Sequence, residues 1–365
     1  MANFDLTNLA VKILFPNNSL ITDDAGLPSI MVYIPKFKNS DVLTGGNDST
    51  HPAFIVNGVE IPGFYYSKYQ NVVHNGVAYS LPGEDPATRL TFDAARECSE
   101  AKGHGWHLST NAEWAAIALW CKKNGFLPGG NNDYGKDVRE STYKAVPTSF
   151  ESDGKIGGVA TGTGPLTWSH DKTMSGIWDM NGNIIEWQGG LRIVWGEIQI
   201  LANNDAADPE NPQNETSTLW RAINAANGAL VEPECKTSDT AVKAEGETVK
   251  LDYVNEVWTY SKAITTVIAS SASCSFYEVK TDDSVSESAK VLLRALLLLP
   301  DSTTEPESFG EGGFWAANGV SERMPTRGGS WINRSDSGLF YFNGTGGRTN
   351  SSTSKGFRAA YIPEI

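Results

Sequence analysis

Apolar positions along the chain change their spacing several times, and each change marks an element. Leu9-Ala-Val-Lys-Ile-Leu-Phe15, closed by Pro16-Asn-Asn, predicts a strand within a leading segment, residues 1–30. Short β-type runs at Ile30–Ile34, Phe54–Ile61 and Phe64–Tyr69 are separated by Gly, Pro and Asn, the pattern of hairpins. The spacing then turns helical. Thr91 can cap a helix whose Phe92, Ala95 and Cys98 share one face. A second helix begins at Ser109 or Thr110, with Glu113 placed for a capping box, a stripe of Trp114, Ile117, Ala118 and Cys121, and Gly125 as its stop.

Residues 124–170 are rich in Gly and Asn without a period, and read as long surface loops. Gly176–Trp187 is a turn flanked by apolar residues, followed by a β-like stretch, Leu191–Leu201. Residues 202–310 are acidic and polar, with nine Asp/Glu against four Lys/Arg between 201 and 250, and read as an insertion or a solvated subdomain. Helices are predicted there near Ser217–Ala226, near Tyr253–Ser271, and from Ser286 to Leu299, where Pro300 ends the run. Gly310-Glu-Gly-Gly313 is a plain turn signal.

Composition narrows the function classes. With 36 Gly and 17 Pro in 365 residues, a turn-rich fold is favoured over a helical bundle. A formal charge of −14 repels phosphate, which argues against nucleic acid and anionic lipid as partners. Val291–Leu299 is too short to span a membrane and carries Arg294. The N-terminus lacks the basic start and apolar stretch of a signal peptide, so the expectation is synthesis as a soluble cytosolic chain.

The last segment, 327–361, has a different makeup. Nineteen of its 35 residues are Gly, Ser, Thr or Asn, yet Trp331, Leu339-Phe-Tyr-Phe342 and Phe357-Arg-Ala-Ala-Tyr361 supply anchors that a disordered tail lacks. Pro62-Gly-Phe-Tyr-Tyr-Ser-Lys-Tyr69, Gly103-His-Gly-Trp-His-Leu-Ser-Thr-Asn-Ala-Glu-Trp114, and Gly176–Trp187 followed by Arg327-Gly-Gly-Ser-Trp331 and Gly356-Phe-Arg-Ala-Ala360 together resemble one family. It is the C-type lectin fold of the formylglycine-generating-enzyme type. The resemblance implies an α+β domain, 31–361, with short antiparallel strands, two helices, long loops and 202–310 as an acidic insertion.

Within that superfamily, 327–361 resembles the variable segment of diversity-generating retroelement proteins, which include phage tail receptor-binding proteins. The resemblance implies that adenine-directed mutagenesis rewrites Asn codons here. Ser, Thr, Asp and Ile lie one base from an Asn codon and Gly two, so Ile332, Asp336, Thr345, Gly346, Ser352 and Ser354 read as rewritten, and Asn333, Asn343 and Asn350 as unchanged. Arg334, Tyr341 and Thr349 complete the contact set, with Arg334 and Tyr341 open between contact and anchor.

Catalysis is the competing reading. The enzyme branch of the family oxidises cysteine with copper-binding thiols in the C-terminal segment, and this segment has no Cys. Cys98, Cys121, Cys235 and Cys274 all lie elsewhere, with no CxxC pair. An iron-binding branch uses clustered histidines, whereas only His104-x-x-His107 is present. Asn181-Gly182 reads as a turn packed by Trp178 and Trp187, with a structural Ca²⁺ at Asn183 and Glu186 as the alternative. No nucleophilic triad, phosphate loop or dinucleotide fingerprint is present.

Ser, Gly and Asn around stiff aromatics are instead the makeup of an adaptable binding surface. Trp331, Phe340, Phe342 and Phe357 should face the core, Arg348 and Arg358 should hydrogen-bond loop backbone, and the rewritten positions should face outward. The expectation is a non-catalytic binding protein without a cofactor, on a phage or prophage tail after cytoplasmic synthesis, with the bacterial cell surface as the other location. Its partners would be a bacterial surface protein or glycan receptor, other tail proteins and further copies of itself, with no nucleic acid and no membrane insertion. A divergent oxidase or metal enzyme is the alternative.

Overall fold

The computed structural model describes residues 3–302, 304–310 and 312–363. Residues 1 and 2 of the leading segment, and Glu311 of the Gly310–Gly313 turn, lie outside these. Within them the fold is mixed, with few helices and many strands in three larger sheets.

The first sheet runs Asn18–Thr22, Pro28–Pro35, Gly63–Ser67, Ala359–Tyr361, Trp106–Leu108, all antiparallel. The last strand of the chain therefore sits inside the sheet, with Ala360 opposite both Tyr66 and His107. The two predicted helices pack behind it. Thr91 Oγ1 accepts from Ala94 N at 3.2 Å to start Phe92–Glu100. Thr110 Oγ1 accepts from Glu113 N at 3.1 Å while Glu113 Oε2 accepts from Thr110 N at 3.0 Å, which closes the capping box on Asn111–Lys123. This second helix is buried beyond its predicted stripe, from Asn111 through Leu119.

The second sheet has the order Ala272–Ser275, Gly313–Ala316, Gly338–Gly344, Thr326–Gly328, Ile185–Trp187, Lys355–Phe357. Three of its six strands come from the C-terminal segment or its first residues. Phe342 stacks on Phe314 across it with ring centres 4.6 Å apart.

The acidic block builds most of the third sheet. Arg221–Ile223, Leu230–Val231, Lys250–Val254, Val257–Ser261 and Lys280–Thr281 extend the Leu191–Val194/Glu197–Ile200 hairpin. Two predicted helices are corrected here. Ser217–Ala226 holds the strand Arg221–Ile223, and Tyr253–Ser271 holds half of a hairpin that turns at Asn255 and Glu256, both at positive φ. Aromatic and β-branched residues in Tyr253-Val and Val257-Trp-Thr-Tyr favour the pleated backbone. The third helix does form, Glu287–Ala295 behind the N-cap Ser286, one turn shorter than predicted. Nor is the block a solvated unit: Trp258, Tyr260, Phe276 and Leu293 share one core with Trp114 and Ile117. The leading segment is also corrected. Asn3–Leu14 is a helix, because Leu6, Leu9 and Ile13 recur at helical rather than alternating spacing.

Candidate binding face

The C-terminal segment leaves the second sheet through Gly328 and Gly329, both at positive φ (+88° and +75°). A side chain at Gly329 would lie 2.3 Å from Ser337 Oγ, and one at Gly328 3.2 Å from the Trp114 ring. The turn that follows is pinned at its base. Asn333 Oδ1 accepts from both Ser330 N and Ser330 Oγ at 2.9 Å, and the buried Trp331 donates its indole N–H to Glu151 Oε1 at 2.8 Å. The strand Gly338–Gly344 then buries Leu339, Phe340 and Phe342. A second loop follows, in which Asn343 Oδ1 accepts from Thr345 N and Oγ1, and Asn350 Oδ1 accepts from Lys355 Nζ at 2.7 Å.

Both ends of this path are clamped. A side chain at Gly356 would meet Ala87 O at 2.2 Å. Arg358, fully buried, donates to both oxygens of the buried Glu186 (2.8 and 3.0 Å) and to the carbonyls of Ser67, Lys68 and Trp178. One guanidinium thus joins the first sheet, the second sheet and the Gly176–Trp187 turn. Arg348 ties the second loop to Glu322, to Asp93 and to Gln213 O.

Within this frame Ile332, Arg334, Thr349 and Asn350 are exposed, and Asn333, Asp336, Asn343, Thr345, Gly346, Ser352 and Ser354 are half-buried. Tyr341 is corrected: its side chain is 1% exposed and lies in the core, with its hydroxyl accepting from Asn343 Nδ2 at 3.1 Å. Burial pushes its hydroxyl up to about 12. The outward positions fall into two patches, 332–336 and 345–354. Beside the second patch lies a cleft of about 280 Å³ where Thr353 and the buried Trp331 face Phe150, Arg89 and Ile184.

The oxygens of the proposed Ca²⁺ site are already engaged by protein donors. Asn183 Oδ1 accepts from Asn131 Nδ2 and Val159 N, and Glu186 accepts from Arg358 and from Gln70 Nε2 at 2.9 Å. A cation bound there would have to displace the guanidinium. Among the described residues no three His, Cys, Asp or Glu side chains converge to hold a metal. Burial raises all four thiols, Cys235 to about 12, the opposite of what a nucleophile or soft-metal ligand needs. His107 is buried against Glu113 Oε1 at 2.8 Å, whereas His104 is exposed, so the two do not act as a pair.

No family model matches the chain, and no curated protein matches it. It is similar to solved variable proteins and tropism determinants. Treponema denticola variable protein 1 is 11% identical with a TM-score of 0.32, over 95% of this chain and 99% of that one. The Major Tropism Determinant U1 variant is 11% identical at 0.29, over 91% and 62%, and the P3c variant 11% at 0.30, over 94% and 71%.

The bed of the face comes from loops that periodicity does not single out. Arg334 N donates to Asn132 O at 2.8 Å, Tyr134 N to Trp331 O at 2.9 Å, and Asn183 N to Asn131 O at 2.6 Å. The sequence signal for this is Gly129-Gly-Asn-Asn132. A side chain at Gly130 would sit 1.6 Å from Asn181 O, so the glycine run marks a close approach of two backbones.

Proposed function

We propose that this chain is a non-catalytic binding protein of the retroelement-diversified kind, built on a C-type lectin fold, whose 332–354 loops recognise a receptor on a bacterial surface. What supports this is the separation of roles along one short segment. Trp331, Phe340, Phe342 and Phe357 are buried, while the small polar positions between them reach solvent. A residue free to change must carry no packing. The arrangement is that of adaptable loops on a rigid frame.

A protein receptor is favoured over a glycan, because exposed aromatics stack on sugar rings and Tyr341, the aromatic among the contact positions, is buried. A phage or prophage tail is the proposed setting, with other tail proteins as neighbours. The deciding experiment is to sequence the DNA beside the gene. An imperfect copy of the 331–356 codons, differing only where the copy has adenine, together with a reverse transcriptase gene, is the expected finding. Without that copy the face is a fixed loop and the retroelement reading falls.

A further inference from the structure

We infer that the helix Asn3–Leu14 docks into an apolar groove on a second copy of this chain, so that the protein self-associates through exchanged helices. Leu6, Leu9, Ile13 and Leu14 are 72%, 55%, 71% and 70% exposed. The three- and four-residue spacing of the first three puts them in one stripe. Such a stripe on a water-soluble surface marks an interaction site. The helix cannot turn the stripe inward as it stands, since Asn8 Oδ1 on its other side accepts from Leu20 N at 3.1 Å and holds it to the edge of the first sheet.

The matching surface begins at Asn17, just past the helix. There Tyr33, Phe37, Ile117 and Trp120 line a groove of about 600 Å³. Its rim carries Asp41 and Asp171 beside Lys36 and Lys123, and the helix carries Lys12, which the rim carboxylates can receive. Stripe and groove lie close together on one chain, so two copies can each give a helix and take one. Reciprocal exchange closes into a two-fold pair, whereas one-way docking would propagate. This holds whatever the C-terminal face binds.

The test uses the full chain. Size-exclusion chromatography with light scattering at micromolar concentration should give twice the monomer mass, and Leu6→Ser/Leu9→Ser/Ile13→Ser should give a monomer with an unchanged melting temperature. With p-benzoylphenylalanine replacing Leu9, photo-crosslinking in a mixture of isotope-labelled and unlabelled chains should join helix peptides of one copy to peptides 32–42 or 117–124 of the other. A monomeric parent chain overturns the proposal. So does a crosslink from helix to helix, or one confined to a single chain.

Discussion

The C-terminal segment and the acidic block 202–310 are both polar stretches that composition alone would place in solvent. They end up in opposite roles. The block places Trp258, Tyr260 and Phe276 in the main core and supplies most of one sheet. The C-terminal segment also enters the core, but through a few anchors, and leaves the residues between them outside. The position of aromatic anchors, rather than mean polarity, decides whether a polar stretch becomes frame or surface.

That contrast can be broken most directly by deletion. Replacing 202–310 with a short Gly-Ser linker should abolish cooperative unfolding in calorimetry, because it removes five strands of one sheet and the edge strand of another. A folded, cooperative product would show that the block is dispensable. Next in size is the clamp. Glu186→Gln leaves Arg358 buried without a counter-charge and should cost about 3–5 kcal/mol in denaturant unfolding. A loss on the scale of a surface change would mean that the ion pair does not tie the sheets together.

Acid tests the frame outside both regions. His170 is lowered to about 4 by burial, and its Nδ1 already accepts from Ile177 N at 2.8 Å; His51, also buried, is lowered to about 3. Both bind a proton less readily folded than unfolded. Their contribution is complete above the ordinary histidine value and is lost as pH falls toward these values. Asp179, raised to about 6 by burial, runs the other way, with its contribution lost as pH rises through 6. The melting temperature of His170→Asn should therefore fall less than that of the parent between pH 6.5 and 4. Equal slopes would remove His170 from the account.

The smallest effects on stability belong to the face. Ala at Thr345, Gly346, Ser352 and Ser354 together should shift stability by no more than about 0.5 kcal/mol per site while cell attachment is lost. A side chain at Gly346 meets Lys355 Nζ at 3.0 Å and Asn350 at 3.7 Å, so it asks the end of Lys355 to give by a few tenths of an ångström. Misfolding of this variant would place those residues in the frame. EDTA should leave the melting temperature unchanged, and a drop would restore the cation at Asn183 and Glu186.

Local chemistry was legible in the sequence and long-range pairing was not. The Thr110/Glu113 box and the Thr91 cap are written within four residues, and both form. The anchors Trp331, Phe340, Phe342 and Phe357 were legible as large apolar residues in a polar run. The hairpin at Asn255-Glu256 was not, because a two-residue turn without Gly gives little signal, and its strands gain their stability from partners far along the chain. Tyr341 failed for a related reason. Its burial depends on the strand Gly338–Gly344 being covered on both faces, which only the assembled sheet decides.

The Arg358 clamp and the Gly328-Gly329 exit have a consequence for populations of such chains. Because every version of the loops would begin and end on the same buried backbone, a collection differing only at the outward positions should melt within a narrow range of temperatures while its affinities scatter widely. A random substitution there puts recognition at risk and leaves folding alone, so most members of such a library would survive to be tested.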